Sequence, residues 1–314
     1  MEPIIPFEPV RSEKVPGGDY IHQVKWDGVR ILTYAASGQV RLFNRKKRER
    51  TMQYPELLET RKYCVAESVI LDGEVIALNE GGTPEFQQVM RRDGLRSRER
   101  VDFVRKSIPI FYMIFDVLYL NGKWLNKEPF TERMEILSKI LTPNETVQQV
   151  TSHEDGETLF RVIEEKGMEG IVSKKATSPY LIGGKSDKWI KVKNYLDEIC
   201  VIGGYTVNDA GTANAVLLGL YNGANDLIYV GHCGTGKMSA ADWRELADRF
   251  EPLKIAESPF VNKVQRVKNI RWVRPEKTSK IRFAQWTPEG SMRQPSIQAF
   301  VDVPARECIL PHNG

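Results

Sequence analysis

Two long apolar runs, Ser68-Val-Ile-Leu-Asp-Gly-Glu-Val-Ile-Ala-Leu78 and Ile108-Pro-Ile-Phe-Tyr-Met-Ile-Phe-Asp-Val-Leu-Tyr-Leu120, carry carboxylates in their middles. Runs of this kind predict buried strands. Asp72, Glu74 and Asp116 then face a steep cost, because a charge taken out of water must be paired or hold a metal. Glu169, ahead of Gly-Ile-Val-Ser-Lys174, is a further case. One such position alone reads as a satisfied salt bridge. Several together, in a chain rich in strand-end lysines, fit a site that handles a metal-bound polyphosphate.

The lysines follow a pattern of their own. In His22-Gln-Val-Lys-Trp-Asp-Gly-Val-Arg-Ile31, Lys25 ends an alternating apolar run and Asp27-Gly28 supplies a tight turn just after it. A lysine at a strand end can act as a nucleophile if its amine is kept neutral. The short pattern is weak by itself, since many surface turns contain it. Lys174, Lys188, Lys191 and Lys193 add further cations. Lys191 and Lys193 are two apart on one predicted strand, so they share a face.

Organisation comes next. A chain of 314 residues points to two domains. No apolar run approaches the ~20 residues of a membrane span. The start, Met1-Glu-Pro-Ile-Ile-Pro6, lacks the basic-then-apolar layout of a signal peptide, so a cytoplasmic location is expected. Cys64, Cys200, Cys233 and Cys308 are scattered, which argues for buried reduced thiols rather than disulfides or a zinc site. Net charge is only +4, yet cations cluster in Arg41–Arg50, Arg91–Lys106 and Lys263–Arg282. Three such blocks suggest a directed phosphate-binding surface.

Strands are predicted for much of 20–80, with a hairpin turning at Ser37-Gly38, and again at 108–120, 169–175 and 188–192. Helices are predicted over 54–65, 84–106, 131–141, 155–166 and 239–250, the fourth opened by Asp155 and stopped by Gly167. After about Asn194 the texture shifts to short strands and frequent glycines, implying a small β domain.

These segments together resemble the covalent nucleotidyltransferases: ATP-dependent DNA ligases, RNA ligases and mRNA capping enzymes. His22-Gln-Val-Lys-Trp-Asp-Gly-Val-Arg30 resembles the first motif, Asp72-Gly-Glu74 the third, and Phe111–Gly122 the aromatic-acid segment that follows. Glu169–Lys174 is similar to the fourth and Trp189-Ile-Lys-Val-Lys193 to the fifth. All come in family order. Ser178-Pro-Tyr180, Tyr229–Gly236, Trp272-Val-Arg-Pro275, Arg282–Thr287 and Arg293-Gln-Pro-Ser296 resemble the ligase module of bacterial end-joining, Ku-associated DNA ligases.

The resemblance implies an α+β chain. An adenylation (nucleotidyltransferase, ATP-grasp-like) domain of antiparallel sheets with flanking helices would span 1–196, and an OB-fold β-barrel 197–314, with a hinge near 194–200. It implies an enzyme that seals 5′-phosphate/3′-hydroxyl nicks through a lysyl-AMP intermediate, using ATP and Mg²⁺ (Mn²⁺ in its place), in DNA repair and recombination. Lys25 would attack the α-phosphate. An unperturbed lysine has a pKa near ~10.4, and burial with Lys191 and Lys193 nearby is expected to lower it. Those two lysines would also steady charge on the α-phosphate. Gln23 and Val24 would border adenine and Phe115 would stack on it. Glu74 and Glu169 would meet the ribose hydroxyls and the metal. Arg30 and Arg45 would touch ribose and the nick 5′-phosphate, and Lys174 the nucleotide. Nicked double-stranded DNA is the expected partner, with Ku or a repair polymerase as protein partner. A monomer associated with the bacterial nucleoid, without a membrane, completes the expectation. A segment within 84–106 or 206–240 is expected to help hold the DNA.

Two departures stand out. Gln23 occupies a place where this group usually carries Glu, and an amide donates as well as accepts. The stretch Gln298–Pro304 lacks the arginine of the final motif, leaving Arg293 or Arg306 as stand-ins. Gly231-His-Cys-Gly-Thr-Gly-Lys237 nearly spells a P-loop, but Met238 sits where Ser or Thr would meet Mg²⁺, so it reads as a glycine-rich turn. The rival readings are a P-loop ATPase, an RNA ligase or capping enzyme, and a catalytically weak nucleic-acid-binding module.

Overall fold

In the computed structural model, which describes residues 1–209, 211–234, 240–264 and 267–311, the chain divides into two units, Met1–Asn194 and Tyr195–Gly314. The first opens with β1 (Glu8–Ser12) and β2 (Tyr20–Val24). β3 (Val29–Ala36) and β4 (Gln39–Asn44) form the expected hairpin. Ser37 and Gly38 turn it with φ of 50° and 75°, the left-handed pair that a two-residue loop needs. β5 (Ser68–Ile76), α1 (Phe86–Asp93) and α2 (Arg98–Val104) follow. Then come β6 (Phe111–Leu120), β7 (Lys123–Trp124), α3 (Phe130–Ile140) and β8 (Val147–Gln149). α4 (Gly156–Glu165), β9 (Gly170–Lys175) and β10 (Lys185–Lys193) complete the unit. The Asp155 side chain caps α4 through the Thr158 amide, and Gly167 ends the turn beyond it at φ 60°.

Two sheets result. One runs β4-β3-β5-β6-β7 with β8 beside β6, and the other runs β1-β10-β9-β2. Pairing is antiparallel except at β1/β10 and β6/β8, which are parallel. Purely antiparallel sheets were the expectation, but both exceptions join strands separated by long excursions, as parallel pairing requires. A large core lies on one side of the first sheet, around Leu71, Tyr112, Ile114 and Leu137. A second seam, holding Leu32, Ile70 and Leu118 from the first sheet and Trp189 from the second, ties the two together.

Two helix expectations fail. Residues 54–65 form only short 3₁₀ turns at Pro55–Leu57 and Thr60–Lys62. Tertiary pairing wins there: Val65 donates to the Ile140 carbonyl and Thr142 to that of Tyr63, drawing the chain out of any helix. The 84–106 segment breaks at Gly94 and restarts under a Ser97 cap.

The second unit contains β11 (Leu196–Val207), β12 (Ala213–Tyr221), β13 (Leu227–Cys233), α5 (Ala240–Phe250), β14 (Lys254–Ile255) and β15 (Ile270–Phe283). β16 (Gln285–Trp286), β17 (Met292–Arg293) and β18 (Ser296–Val301) follow. Its main sheet is β13-β12-β11-β15-β14 with β18 on β15. Among the described residues this path stays open, and no pairing closes it into the expected barrel. Lys237, Met238 and Ser239 lie outside the described residues, and with them part of the P-loop-like stretch. All four cysteines are buried and free. No described helix is long and apolar enough to cross a membrane.

Candidate active site

β9 is the axis of the site. Its neighbours are β2 on one edge and β10 on the other, and register places Gln23, Val172 and Lys191 in one cross-strand row. Side chains alternate across a sheet, so this row shares one face with Lys174 and Trp189. The opposite face carries Val24, Ile171 and Val192 into a small core under α4. Glu169 sits just before β9 begins. The Gly170 carbonyl accepts from the Lys25 amide at 2.9 Å, and Gly170 is paired with Lys193 on the other side. The ends of three strands therefore converge on one carboxylate.

The side chains complete that convergence. Lys25 Nζ lies 2.6 Å from Glu169 Oε2, and Lys193 Nζ lies 3.0 Å from Oε1. The Lys25 side chain keeps 21% of its exposure, enough to be reached. Burial pushes the Glu169 carboxyl up, but the two ammoniums outweigh it and hold it below its ordinary value. Lys191, half-buried among Lys25, Lys193 and Lys185, is pushed down, first by burial and then by those like charges. Gly170 has a reason to be glycine: φ is 142°, and a Cβ would stand 2.1 Å from the Val192 carbonyl oxygen.

A cavity of about 530 Å³ opens over this cluster, within the usual range for a small-molecule site. Lys25, Glu169 and Lys191 line it together with Glu74, Phe115, Trp189, Gln23 and Val24. Gln23 is buried and its Nε2 reaches Ser152 Oγ at 3.2 Å, while its Oε1 has no partner. An orphaned buried acceptor in a cavity wall suits a ligand N–H. Burial pushes the Glu74 carboxyl up to about 8, only partly offset by Lys25 and Arg30, with Glu169 and Asp72 adding to the rise.

Family models match this architecture in both units. The ATP dependent DNA ligase domain matches residues 9–193, and the ATP dependent DNA ligase C terminal region matches 209–302. The chain belongs to the ATP-dependent DNA ligase family. It is 32% identical over 277 residues to the multifunctional non-homologous end joining protein LigD of Mycolicibacterium smegmatis, covering 87% of this chain and 34% of that one. It thus spans about a third of the length of that relative. It is 36% identical over 204 residues to the SPbeta prophage-derived DNA ligase-like protein LigB of Bacillus subtilis, covering 64% and 71% of the two chains. The crystal structure of the ligase domain from M. tuberculosis LigD is similar over 98% of each chain, with a TM-score of 0.52 and 27% identity.

Not every anticipated residue faces the cavity in the manner expected. Arg30 borders the cavity, but its guanidinium is committed: Nε and NH2 donate to Asp72 at 2.9 and 2.6 Å, NH1 to the Phe7 carbonyl at 2.8 Å, and NH2 to Tyr180 Oη at 3.1 Å. Tyr180 Oη itself donates to Asp72 at 2.7 Å. Asp116 is likewise consumed by Arg133, through Nε at 2.7 Å and NH2 at 3.0 Å, with both side chains fully buried. Asp72 and Asp116 are therefore satisfied salt bridges. Lys174 is 2% exposed. Its amine donates to the Phe115 carbonyl at 3.0 Å and lies over the rings of Trp189, Phe115 and Phe130 at 4.2, 4.5 and 4.7 Å. It also lines the cavity, beside Phe115 and Trp189.

Arg45 is exposed at the rim beside Lys46 and Arg48. Asn44 Oδ1 accepts from the amides of Lys46 and Arg48, fixing that loop. Arg92, counted in the second basic block, is instead buried and donates to Ile108 O, Gln53 O and Glu56. Arg306 stacks on the Tyr221 ring at 4.3 Å and bonds Asn225. The sequence reading had no role for Tyr180 or Trp189. Their signal was present, an aromatic among polar residues in a motif-bearing stretch, but only contact with Asp72 and Lys174 gives it meaning.

Proposed function

We propose that this chain seals 5′-phosphate/3′-hydroxyl nicks in duplex DNA through a lysyl-AMP intermediate, acting as a monomer with ATP. The observation that carries the reading is the Lys25 amine, 2.6 Å from Glu169 and opening onto a cavity also lined by Glu74, Phe115 and Lys191. An ammonium has no lone pair, so Lys25 gives up its proton before it attacks. Its Nζ then forms a P–N bond to the α-phosphorus while the bond to pyrophosphate breaks. An oxygen of the DNA 5′-phosphate next displaces Lys25, and the 3′-hydroxyl displaces AMP to close the strand.

This chain's residues divide the work. Glu169 aims the Lys25 side chain and Lys193 with it. Lys191 and Lys193 offer cations where α-phosphate charge grows. Phe115 offers an aromatic face, and the unpartnered Gln23 Oε1 an acceptor for an exocyclic amine. Among the described residues no group of three or more side chains is arranged to hold a metal. Glu74 and Glu169 would supply carboxylate oxygens to a Mg²⁺ ion (or Mn²⁺) that arrives with the polyphosphate. Such an ion needs only one or two protein carboxylates, and it relieves the cost of ionising Glu74.

End joining is the setting we infer, from the likeness to LigD relatives; Ku or a repair polymerase on another chain is the corresponding partner, in the cytoplasm at the nucleoid. The test incubates the protein, stripped with pyrophosphate, with α-labelled ATP and Mg²⁺, and then adds a 5′-phosphorylated nick. The expected result is an acid-labile AMP adduct and a sealed strand, both absent in Lys25→Ala. No adduct from the wild type would overturn the reading. Labelling only by GTP, or sealing of nicked RNA alone, would move it within the superfamily.

A further inference from the structure

α2 presents an aromatic ring to solvent in the middle of a basic patch. Val101 is fully buried and Phe103 is 77% exposed. Two positions on a helix differ by about 200°, so Phe103 occupies the outward face by construction. One exposed apolar side chain is ordinary. This one stands among exposed Arg91, Arg96, Arg98, Arg100, Arg105 and Lys106, against Glu99 and Asp102. Asp102 already pairs with Arg105 at 3.4 Å.

The mounting is firm. Buried Arg92, at the end of α1, donates at 2.9 Å to the Ile108 carbonyl beyond α2 and at 2.9 Å to that of Gln53. This pins both ends of the segment to the body of the unit. Ser97 Oγ accepts from the Arg100 amide and caps α2. The other end of the element reaches the catalytic cavity, whose wall includes Phe86 and Met90 of α1. A cationic segment with an exposed aromatic is thus joined through α1 to the wall of the nucleotide site.

We propose that α2 grips the duplex flanking the nick, its arginines straddling backbone phosphates and Phe103 wedging against base edges in the minor groove. The inference rests on the reading of this chain as a DNA ligase. Density of positive charge selects a polyanion, and an apolar side chain among phosphate contacts is how proteins wedge a base step. A protein partner on this patch is the competing occupant.

The test uses nicked duplexes with 2-aminopurine placed stepwise outward from the nick. Phe103→Ala is expected to bind about tenfold more weakly, with an unchanged salt slope, and to lose a fluorescence change that wild type gives at one position. Arg96→Gln/Arg98→Gln/Arg100→Gln is expected to keep that fluorescence change while lowering the salt slope by about 2–3. Both variants should form the Lys25–AMP adduct from ATP, without DNA, at the wild-type rate, which also shows that they fold. If Phe103→Ala binds and quenches as wild type does, the wedge is wrong, and if the triple variant keeps the wild-type salt slope, the patch belongs to a protein. If wild type forms no adduct, the ligase reading fails instead, and that result is separate.

Discussion

Asp72 and Glu74 sit two residues apart on β5, on the same face, and meet opposite fates. Asp72 is fully buried and accepts from Arg30 twice and from Tyr180 once. Glu74 has no such partner and is pushed up to about 8 by burial. The same contrast recurs between Asp116, closed off by Arg133, and Glu169, shared by two lysines at a cavity wall. One set spends its charge on tying the first sheet to α3 and to the loop that carries Ser178 and Tyr180. The other lines the cavity, Glu74 with its charge disfavoured by burial and Glu169 held by lysines alone. Carboxylates on buried strands are thus two populations, told apart by whether their cation is an arginine with its donors used up or a lysine that can let go.

The largest expected effect breaks the lysine side of that contrast. Lys25→Ala should reduce adduct formation by more than about 10⁴-fold, as loss of a covalent nucleophile does, with thermal stability little changed. Gel analysis of labelled protein measures the first and a melting curve the second. Retained labelling would mean another residue is the nucleophile.

The contrast itself is tested by a matched pair. Asp116→Ala leaves the fully buried Arg133 without its carboxylate and should cost about 3–5 kcal/mol of stability. Glu74→Gln removes a charge that burial already disfavours, so its stability should match or exceed wild type while adduct formation falls. Denaturant unfolding separates the two. Equal destabilisation by both variants would erase the distinction.

Much of this was legible in the chain. Lys25, Glu74, Phe115, Glu169, Lys191 and Lys193 all come together around one cavity or its edge because period-2 alternation and motif order survive folding. Asp72 and Asp116 misled for a physical reason. A buried arginine–carboxylate pair and a ligand-binding one look identical in sequence, because the pairing partners lie 42 and 17 positions away. Residues 54–65 misled because tertiary hydrogen bonds, not local spacing, decide that path.

Gly170→Ala is a smaller but sharper probe of how the lysines are gathered. A Cβ there meets the Val192 carbonyl oxygen at 2.1 Å in a backbone conformation that only glycine holds comfortably. The cost should be about 1–3 kcal/mol. It should also slow adduct formation, because β9 and β10 must separate and Glu169 then loses Lys193. A variant destabilised as expected but fully active would show that Lys193 need not be held by Glu169.

The smallest effect concerns Lys174, which belongs to neither population. Burial pushes its ammonium down to about 7, against the pull of Asp116 and Asp72. A base whose folded pKa lies below its unfolded value binds fewer protons when folded. Stability therefore rises as pH climbs from about 7 towards the unfolded lysine value near ~10.4. Lys174→Met keeps the volume among Phe115, Phe130 and Trp189 but removes the titration, so its stability should be flatter over that range. Loss of the bond to the Phe115 carbonyl should loosen the ring, raising KM for ATP more than it lowers kcat. Unfolding curves at pH 7 and pH 9, with ATP titrations at one pH, measure both. An unchanged pH slope would mean that Lys174 stays charged in its aromatic cage, held there by the ring faces and Asp116 together.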